Sequence, residues 1–257
     1  MRVAVVGGTG LVGRHTVEAL KRGNHDTKIL ARSHGVDLVT AEGIDEALSG
    51  VEAVIDVTSV EVVAREASRQ LFGTMTKNLL AAEERASVKH HVLLSILGLD
   101  LIEGNPHYAG KRVQEALVAS SSIPHTILRA AQFHEFAEML VNWVKTPEGA
   151  IVPPLLIQPV AVADVAETLS EIAVSQPIGH LDLAGPEPQD LVDMARRTLA
   201  AKGYSVKLIP SWDGALLGVE AAGDILLPDS EARIAPTTFD EWLSQQKRAS
   251  KEAAGNC

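Results

Sequence analysis

The sequence predicts an α/β fold, a doubly wound parallel sheet with a small C-terminal substrate lobe. Three observations predict it. Short apolar runs alternate with stretches of helical periodicity through the first half of the chain. Glycines follow the first apolar run at once, where a tight turn must lead from strand to helix. The length, 257 residues, suits one α/β domain carrying a small lobe.

The elements follow in order. "RVAVVG" reads as a buried strand bounded by glycine, and "LVGRHTVEALKRG" as a helix with a glycine stop. "TKILAR" is the second strand. "VDLVT" is a weak, short strand and "IDEALSG" a short helix. "VEAVIDVTS" is a strand, followed by a helix over about residues 62–86. "VKHHVLLSI" is the next strand, "EGNPHYAGKRVQEAL" opens a helix, and "PHTILRA" is a further strand. Beyond Arg129 the pattern changes. "QFHEFAEMLVNWV" is helical, and "GAIVPPLLIQPVA" is extended and broken by prolines. "ADVAETLSEIAV" is a helix, "HLDLAG" a short strand and "DLVDMARRTLAAKG" a helix. Residues 211–229 carry no readable pattern, and a last helix spans about residues 237–253. No repeat or clear linker separates the halves.

Composition narrows the function classes. A hydrophobic fraction of 46% is enough to bury a core and excludes a disordered chain. The net charge of −10 argues against nucleic-acid binding, which needs a basic face. The one cysteine, Cys257, allows neither an internal disulfide nor a cysteine metal cluster, and a terminal thiol is a poor candidate nucleophile. The N-terminus lacks a signal-peptide pattern, and no run is apolar enough to span a membrane. The expectation is a cytoplasmic protein acting on a small molecule, with no membrane partner, as a monomer or a homodimer.

The sharpest local signal is "VAVVGGTGLVGRHTVEAL". Gly7, Gly10 and Gly13 recur at three-residue intervals between a strand and a helix, with Thr9, Leu11 and Val12 completing the loop. One glycine permits the turn, one lets backbone approach a pyrophosphate, and one lets the helix pack against the sheet. The helix start then offers unpaired N–H groups and a positive dipole end to phosphates.

The spacing is G-x-x-G-x-x-G, and here the chain resembles the atypical short-chain dehydrogenase/reductases. "LLS" at 93–95, "GNPHYAGKRVQEAL", "PHTILRAAQF" and "PVAVADVAE" are similar to landmarks of one subgroup. It holds NmrA-like proteins with NADPH-dependent quinone and isoflavone-type reductases. The resemblance implies a Rossmann-type sheet, with residues 1–150 as the dinucleotide-binding domain. Residues 151–257 would complete the sheet and form the substrate lobe, the whole being one structural unit.

A carboxylate at the tip of the second strand would favour NAD, and an arginine there NADP. "TKILARS" ends in Arg32 and Ser33, while Asp26 stands at the wrong end. The expected cofactor is therefore NADP(H), clamped by Arg32 with Ser33 in support and Arg14 as a second candidate. Ligands sit at carboxyl ends of strands in such sheets, which nominates Thr58, Ser59 and Ser95. Each is equally able to bond local backbone.

In the superfamily a Tyr four residues before a Lys supplies the proton. The Lys lowers the Tyr pKa and holds the nicotinamide ribose, and a preceding Ser binds the substrate carbonyl. The resemblance places Ser95 and Lys111 in the Ser and Lys positions, with Glu115 one turn further on. The Tyr position holds His107, and Tyr108 lies only three before Lys111. Three readings stand open. His107 is the acid, since imidazole titrates near neutrality, although a nearby ammonium lowers its pKa. Tyr108 is the acid from a rotated position. Or neither acts, and Lys111 only binds cofactor.

On the substrate side the resemblance brings Gln132 and Phe133 near the nicotinamide, and His134 reads as a substrate contact or a surface residue. Phe136 and Trp143 read as core packing or pocket wall. Asp164 begins a helix, where capping is role enough. His90 and His91 lack metal-pair spacing, so no metal is expected. The leading expectation is an NADPH-dependent reductase of a small apolar carbonyl, quinone or enone-type substrate. The alternative is a non-catalytic NADP(H)-sensing regulator that binds a protein partner. An epimerase or dehydratase with tightly held NAD is disfavoured by Arg32.

Overall fold

The structure is a computed structural model. It describes residues 1–60, 62–213 and 217–255, with side chains to residue 248. Cys257 and residues 214–216 of the unreadable 211–229 stretch lie outside the described residues.

In chain order the elements are β1 (Arg2–Val6), α1 (Leu11–Arg22), β2 (Asp26–Leu30), α2 (Ile44–Ala47), β3 (Ala53–Asp56) and α3 (Arg65–Ala86). Next come β4 (His90–Ile96), α4 (Pro106–Ala119), β5 (His125–Ala130), α5 (Phe136–Val144), β6 (Lys145–Thr146), β7 (Gly149–Val152) and β8 (Leu156–Ile157). The chain ends with α6 (Val162–Ala173), β9 (Gly179–Ala184), β10 (Gln189–Asp190), α7 (Leu191–Lys202), β11 (Leu208–Pro210), β12 (Arg233–Ile234) and α8 (Phe239–Gly255). The main sheet has seven strands in the order β12-β9-β5-β4-β3-β1-β2. The pairs β1–β2, β1–β3, β3–β4, β4–β5 and β9–β12 are parallel.

The chain forms two compact units, one of Met1–Ala130 with Val162–Asp182 and one of Ala131–Ala161 with Leu183–Cys257. The expected division at residue 150 compares with an observed one at 130/131, followed by a return through α6. That return has a physical basis within the first unit. Eight of the twelve α6 residues are buried, and its Glu167 pairs with Arg22 of α1.

In the first unit the strands are apolar because both faces are covered. Val3, Ala4, Val5, Val54, Ile55, Val92 and Leu93 are fully buried. One core cluster joins Val6, Leu30, Ile44, Leu48, Val54 and Leu79, and another joins Leu80, Leu93, Val118 and Ile127. Helices α3 and α4 cross closely at Gly110, where an added Cβ would lie 2.3 Å from the Phe72 ring and 2.5 Å from Ser68 Oγ. This crossing fixes the buried face of α4. Asn105 starts that helix by accepting hydrogen bonds from the His107 and Tyr108 backbone N–H groups, with Pro106 at its first turn.

Several expectations need correction. The weak strand at 36–40 does not form. Asp37 Oδ1 instead accepts the N–H groups of Val39 and Thr40, at 2.7 and 3.3 Å, so these donors are lost to any ladder. The second strand stops at Leu30, and Arg32 falls in a 3-10 turn over Arg32–His34. Residues 132–135 are not helical: Phe133 bridges Val160 and the helix begins at Phe136. Helix α6 starts at Val162, so Asp164 sits inside its first turn rather than at its start, still favourably placed for the dipole. In 211–229 the described residues include a 3-10 turn, Val219–Ala221.

The second unit has its own packing. Strands β11, β7 and β6 form a small sheet, and β8 pairs with β10. Phe239 and Trp242 of α8 stack at 5.6 Å. Among the described residues no helix is long and apolar enough to cross a membrane, and no group of three or more His, Cys, Asp or Glu is placed to hold a metal.

Candidate cofactor site

The strand order reverses around β1: the chain leaves β1 for β2 on one side and returns to β3 on the other. Such a switch point opens a crevice at the carboxyl ends of the strands. The glycine loop lies there. Gly7 takes φ +79°, and an added Cβ would meet Val57 O at 3.1 Å and Thr58 Cα at 3.4 Å. Gly13 is tighter: its Cβ would stand 2.2 Å from Gly7 O and 2.6 Å from Gly8 Cα. Gly10 donates its N–H to Gly7 O at 2.9 Å. The Arg14 guanidinium donates to Thr9 O at 2.9 Å, bracing the loop from outside.

The residues fit a dinucleotide. Helix α1 has no side-chain cap and no acid in its first turn, leaving its dipole end open to an anion. Thr9 and Gly10 are exposed, Leu11 is half-buried, and Val12 and Gly13 are buried. Backbone N–H groups of this turn would hold a pyrophosphate. Beyond β2, Arg32 and Ser33 are exposed, and Ser33 Oγ bonds His34 Nδ1 at 3.1 Å. They stand at the expected end of the crevice, where a 2′-phosphate would need a cation.

At the end of β3, Ser59 is exposed and Thr58 is half-buried. Thr58 is held on three sides. Its N–H donates to Asp56 Oδ1 at 2.9 Å, its carbonyl accepts from Lys111 Nζ at 3.3 Å, and its hydroxyl accepts from Gln114 Nε2 at 3.3 Å. Lys111 is only 4% exposed. Its ammonium also donates to Leu94 O at 2.7 Å and Gln114 Oε1 at 2.8 Å, and lies 5.6 Å above the centre of the Phe72 ring. An ammonium has three donors, and three acceptors take them. Burial pushes its pKa down to about 8, against Asp56 and Glu115, which raise it. The family resemblance implies Lys111 on the cofactor ribose; here its ammonium is engaged by Thr58 O, Leu94 O and Gln114 Oε1.

The two proton-donor candidates sit at the α4 start. His107 is half-buried, edge-on to Phe72 at 5.5 Å, and hydrogen-bonded to the Val60 backbone. Burial, with Lys111 second, pushes its pKa down to about 4. It is therefore neutral near pH 7 and a weak proton source. Tyr108 is 7% exposed. Ser95 is buried on β4, and its hydroxyl has no hydrogen-bond partner among the described residues.

Nearby charges hold α4 and the preceding loop. Arg129 grips the Glu115 carboxylate at 2.6 and 2.9 Å and also reaches Asp100 at 2.9 Å. Arg112 donates to Leu99 O and Ile102 O. His91 pairs with Glu83 at 2.9 Å, both fully buried, and His90 bonds Thr126 Oγ1 at 3.0 Å. The two histidines are thus built into the sheet.

In the second unit, His134 is 1% exposed, packed against Phe239 and Trp242, with Nε2 3.2 Å from Thr237 O. This is a core position, and it corrects the expectation of a substrate contact or a surface residue. Gln132 is buried and Phe133 half-buried. Phe136 and Trp143 meet edge-on at 6.4 Å, and Trp143 remains 49% exposed.

Sequence reasoning missed Asp56 and Gln114. Asp56 gave a signal, as an acid that ends the fully buried apolar run of β3. Gln114 lies three residues beyond Lys111, on the same buried side of α4.

A family model described as NAD(P)H-binding matches residues 7–176, about two-thirds of the chain. A photosystem II assembly factor from a Synechocystis species is 30% identical over 147 residues, 52% of this chain and 45% of that protein. The chain therefore spans less than half the length of that relative. Among solved structures, an NADPH-dependent quinone oxidoreductase from Escherichia coli complexed with NADPH superimposes with a TM-score of 0.70 at 19% identity, covering 95% of this chain and 99% of that one. A dTDP-4-dehydrorhamnose reductase from Bacillus anthracis in complex with NADP gives 0.74 at 16% identity, covering 96% and 99%. At these identities the structures establish a shared fold.

Proposed function

Because this chain belongs to the NAD(P)H-binding family, an oxidoreductase-type fold, we propose that it is an NADPH-dependent reductase whose preferred acceptor is a quinone. The observation that carries the choice of cofactor is the exposed Arg32 just past β2, with no acid in the Arg32–His34 turn. The reduced nicotinamide supplies a hydride. The chain's own groups bind and orient: the open α1 start takes the pyrophosphate, and Arg32 and Ser33 take the 2′-phosphate.

The acceptor class follows from the proton problem. His107 is neutral near pH 7, and the three Lys111 donors are already engaged. A simple ketone taking hydride becomes an alkoxide and needs an acid in place. A quinone becomes a hydroquinone anion, which spreads its charge over the ring and takes its proton from water. The geometry therefore favours a quinone over a carbonyl. For a carbonyl acceptor, Tyr108 is the side chain left to give the proton.

The test is NADPH oxidation against matched panels of quinones and simple carbonyls, with NADH alongside. Quinone turnover that persists in His107→Ala and Tyr108→Phe supports the reading. Tight NADPH binding with no oxidation by any quinone defeats it.

The second reading is a non-catalytic NADP(H) sensor that docks a protein partner. It is supported by the inward Lys111, the neutral His107 and the similarity to an assembly factor. It expects NADPH and NADP⁺ to bind with different affinities, because a ligand with equal affinity for two states shifts nothing. Equal affinities would remove it.

A further inference from the structure

Lys111, Gln114 and Asp56 form a closed chain of buried groups around one residue, Thr58. Gln114 is fully buried, Asp56 is 1% exposed and Lys111 is 4% exposed. The Gln114 amide is used at both ends: Oε1 accepts from Lys111, and Nε2 donates to Asp56 Oδ2 at 2.8 Å and to Thr58 Oγ1. Asp56 holds the Thr58 N–H and Lys111 holds the Thr58 carbonyl. The Val57–Thr58 peptide is the backbone against which Gly7 packs.

We propose that Gln114 is a positioning residue for the cofactor: it holds Asp56 and Lys111 in register, and through them the peptides on either side of Thr58, which sets this backbone against the glycine loop. Lys111 then governs cofactor affinity through Thr58, not through a bond of its own to the ribose. The proposal rests on the NAD(P)H binding that the family carries, not on turnover, so it is read from binding alone.

The amide's chemistry makes the bracket directional. A carboxylate in place of Gln114 would keep the acceptor for Lys111 but turn a second negative oxygen on Asp56. The same carboxyl, once protonated, is a near copy of the amide: one oxygen accepts and one O–H donates. The titratable and charged groups coupled to this position are Asp56 on β3, His107, Lys111 and Glu115 on α4, and the Glu83–His91 pair from α3 and β4.

The experiment is titration of NADPH fluorescence with the full-length protein, for wild type, Gln114→Leu, Gln114→Glu and Lys111→Met, each well below its melting temperature. We expect Gln114→Leu and Lys111→Met to weaken NADPH by a similar factor, about ten-fold or more. The double variant should be little worse than either single one, since both act on one unit. Gln114→Glu should bind weakly at about pH 8 and recover toward wild type by about pH 6, as its buried carboxyl takes up a proton. A destabilising substitution with no positioning role would not recover in this way. If Gln114→Leu does not fold, the pH profile of Gln114→Glu, taken as a ratio to wild type, decides alone. Gln114→Glu tracking wild type at every pH overturns the proposal. So does Lys111→Met losing affinity while Gln114→Leu keeps it, because Lys111 would then touch the cofactor itself.

Discussion

Gly13→Ala is the substitution whose effect the geometry fixes most closely. The added methyl carbon would lie 2.2 Å from Gly7 O and 2.6 Å from Gly8 Cα, both backbone atoms. The first of these must retreat by about 0.8 Å merely to reach the 3.0 Å below which real contacts are not found. Neither is the end of a side chain that could swing away, so either α1 lifts from the loop or the loop opens. Overpacking of this kind costs about 3 kcal/mol, the upper part of the usual range, because backbone must move. For a chain of this size that lowers Tm by roughly 6–12 °C. Gly10→Ala is the internal control. Its methyl would meet only Gly7 O, at 3.3 Å, so stability should change by no more than about 1 kcal/mol. Its effect should fall on NADPH affinity, because Gly10 is exposed at the helix start. The assay is thermal melting of both variants beside NADPH titration. Gly13→Ala melting within about 2 °C of wild type, with unchanged affinity, would refute the reasoning that this crossing needs a bare Cα.

Other perturbations follow from the same geometry. Arg32→Ala should weaken NADPH by about ten- to a hundred-fold, the loss of a charge-assisted contact, and leave NADH unchanged; equal losses for both, by titration, would take Arg32 off the 2′-phosphate. His107 should resist protonation down to about pH 4, readable from its ring proton shifts. Because its folded pKa lies below the unfolded value of 6.5, the unfolded chain binds the extra proton between these limits. Stability from this group is therefore full above about pH 6.5 and lost as pH falls toward 4, by roughly 2–3 kcal/mol. His107→Gln should flatten that acid limb in urea titrations, and an identical limb would count against the burial of this ring. Glu83→Leu should cost about 3–5 kcal/mol by leaving His91 buried without its carboxylate, with a Glu83→Leu/His91→Phe double variant regaining much of it; a double variant as unstable as the single one would refute the pairing.

The alternation of strands and helices was legible because buried parallel strands must be continuously apolar, and the glycine loop because close backbone approach leaves few residue choices. What escaped was tertiary. The weak strand at 36–40 had acceptable β-formers, yet the Asp37 side chain outcompeted the ladder for its N–H groups. His134 read as a substrate contact or a surface residue in a helical stretch, but α8, about a hundred residues downstream, brought Phe239 and Trp242 around it. Lys111 was found by its place in the order of elements, whereas its direction depended on Asp56 and Gln114. Those two carry no motif, because their partners are far apart in the chain.

The turn after β2 has a consequence for how this protein can change. Arg32, Ser33 and His34 are all exposed, so on the proposed reading the residues that would face a 2′-phosphate bear no core. The segment behind them is tied elsewhere, by Asp37 within the loop and by Asn78 of α3, whose amide donates to Leu38 O and Val39 O. If the proposed assignment holds, nucleotide preference is a detachable module. A few surface exchanges can rewrite it, with no compensating repair in the sheet, and a lineage could pass between phosphorylated and unphosphorylated cofactors without first losing its fold.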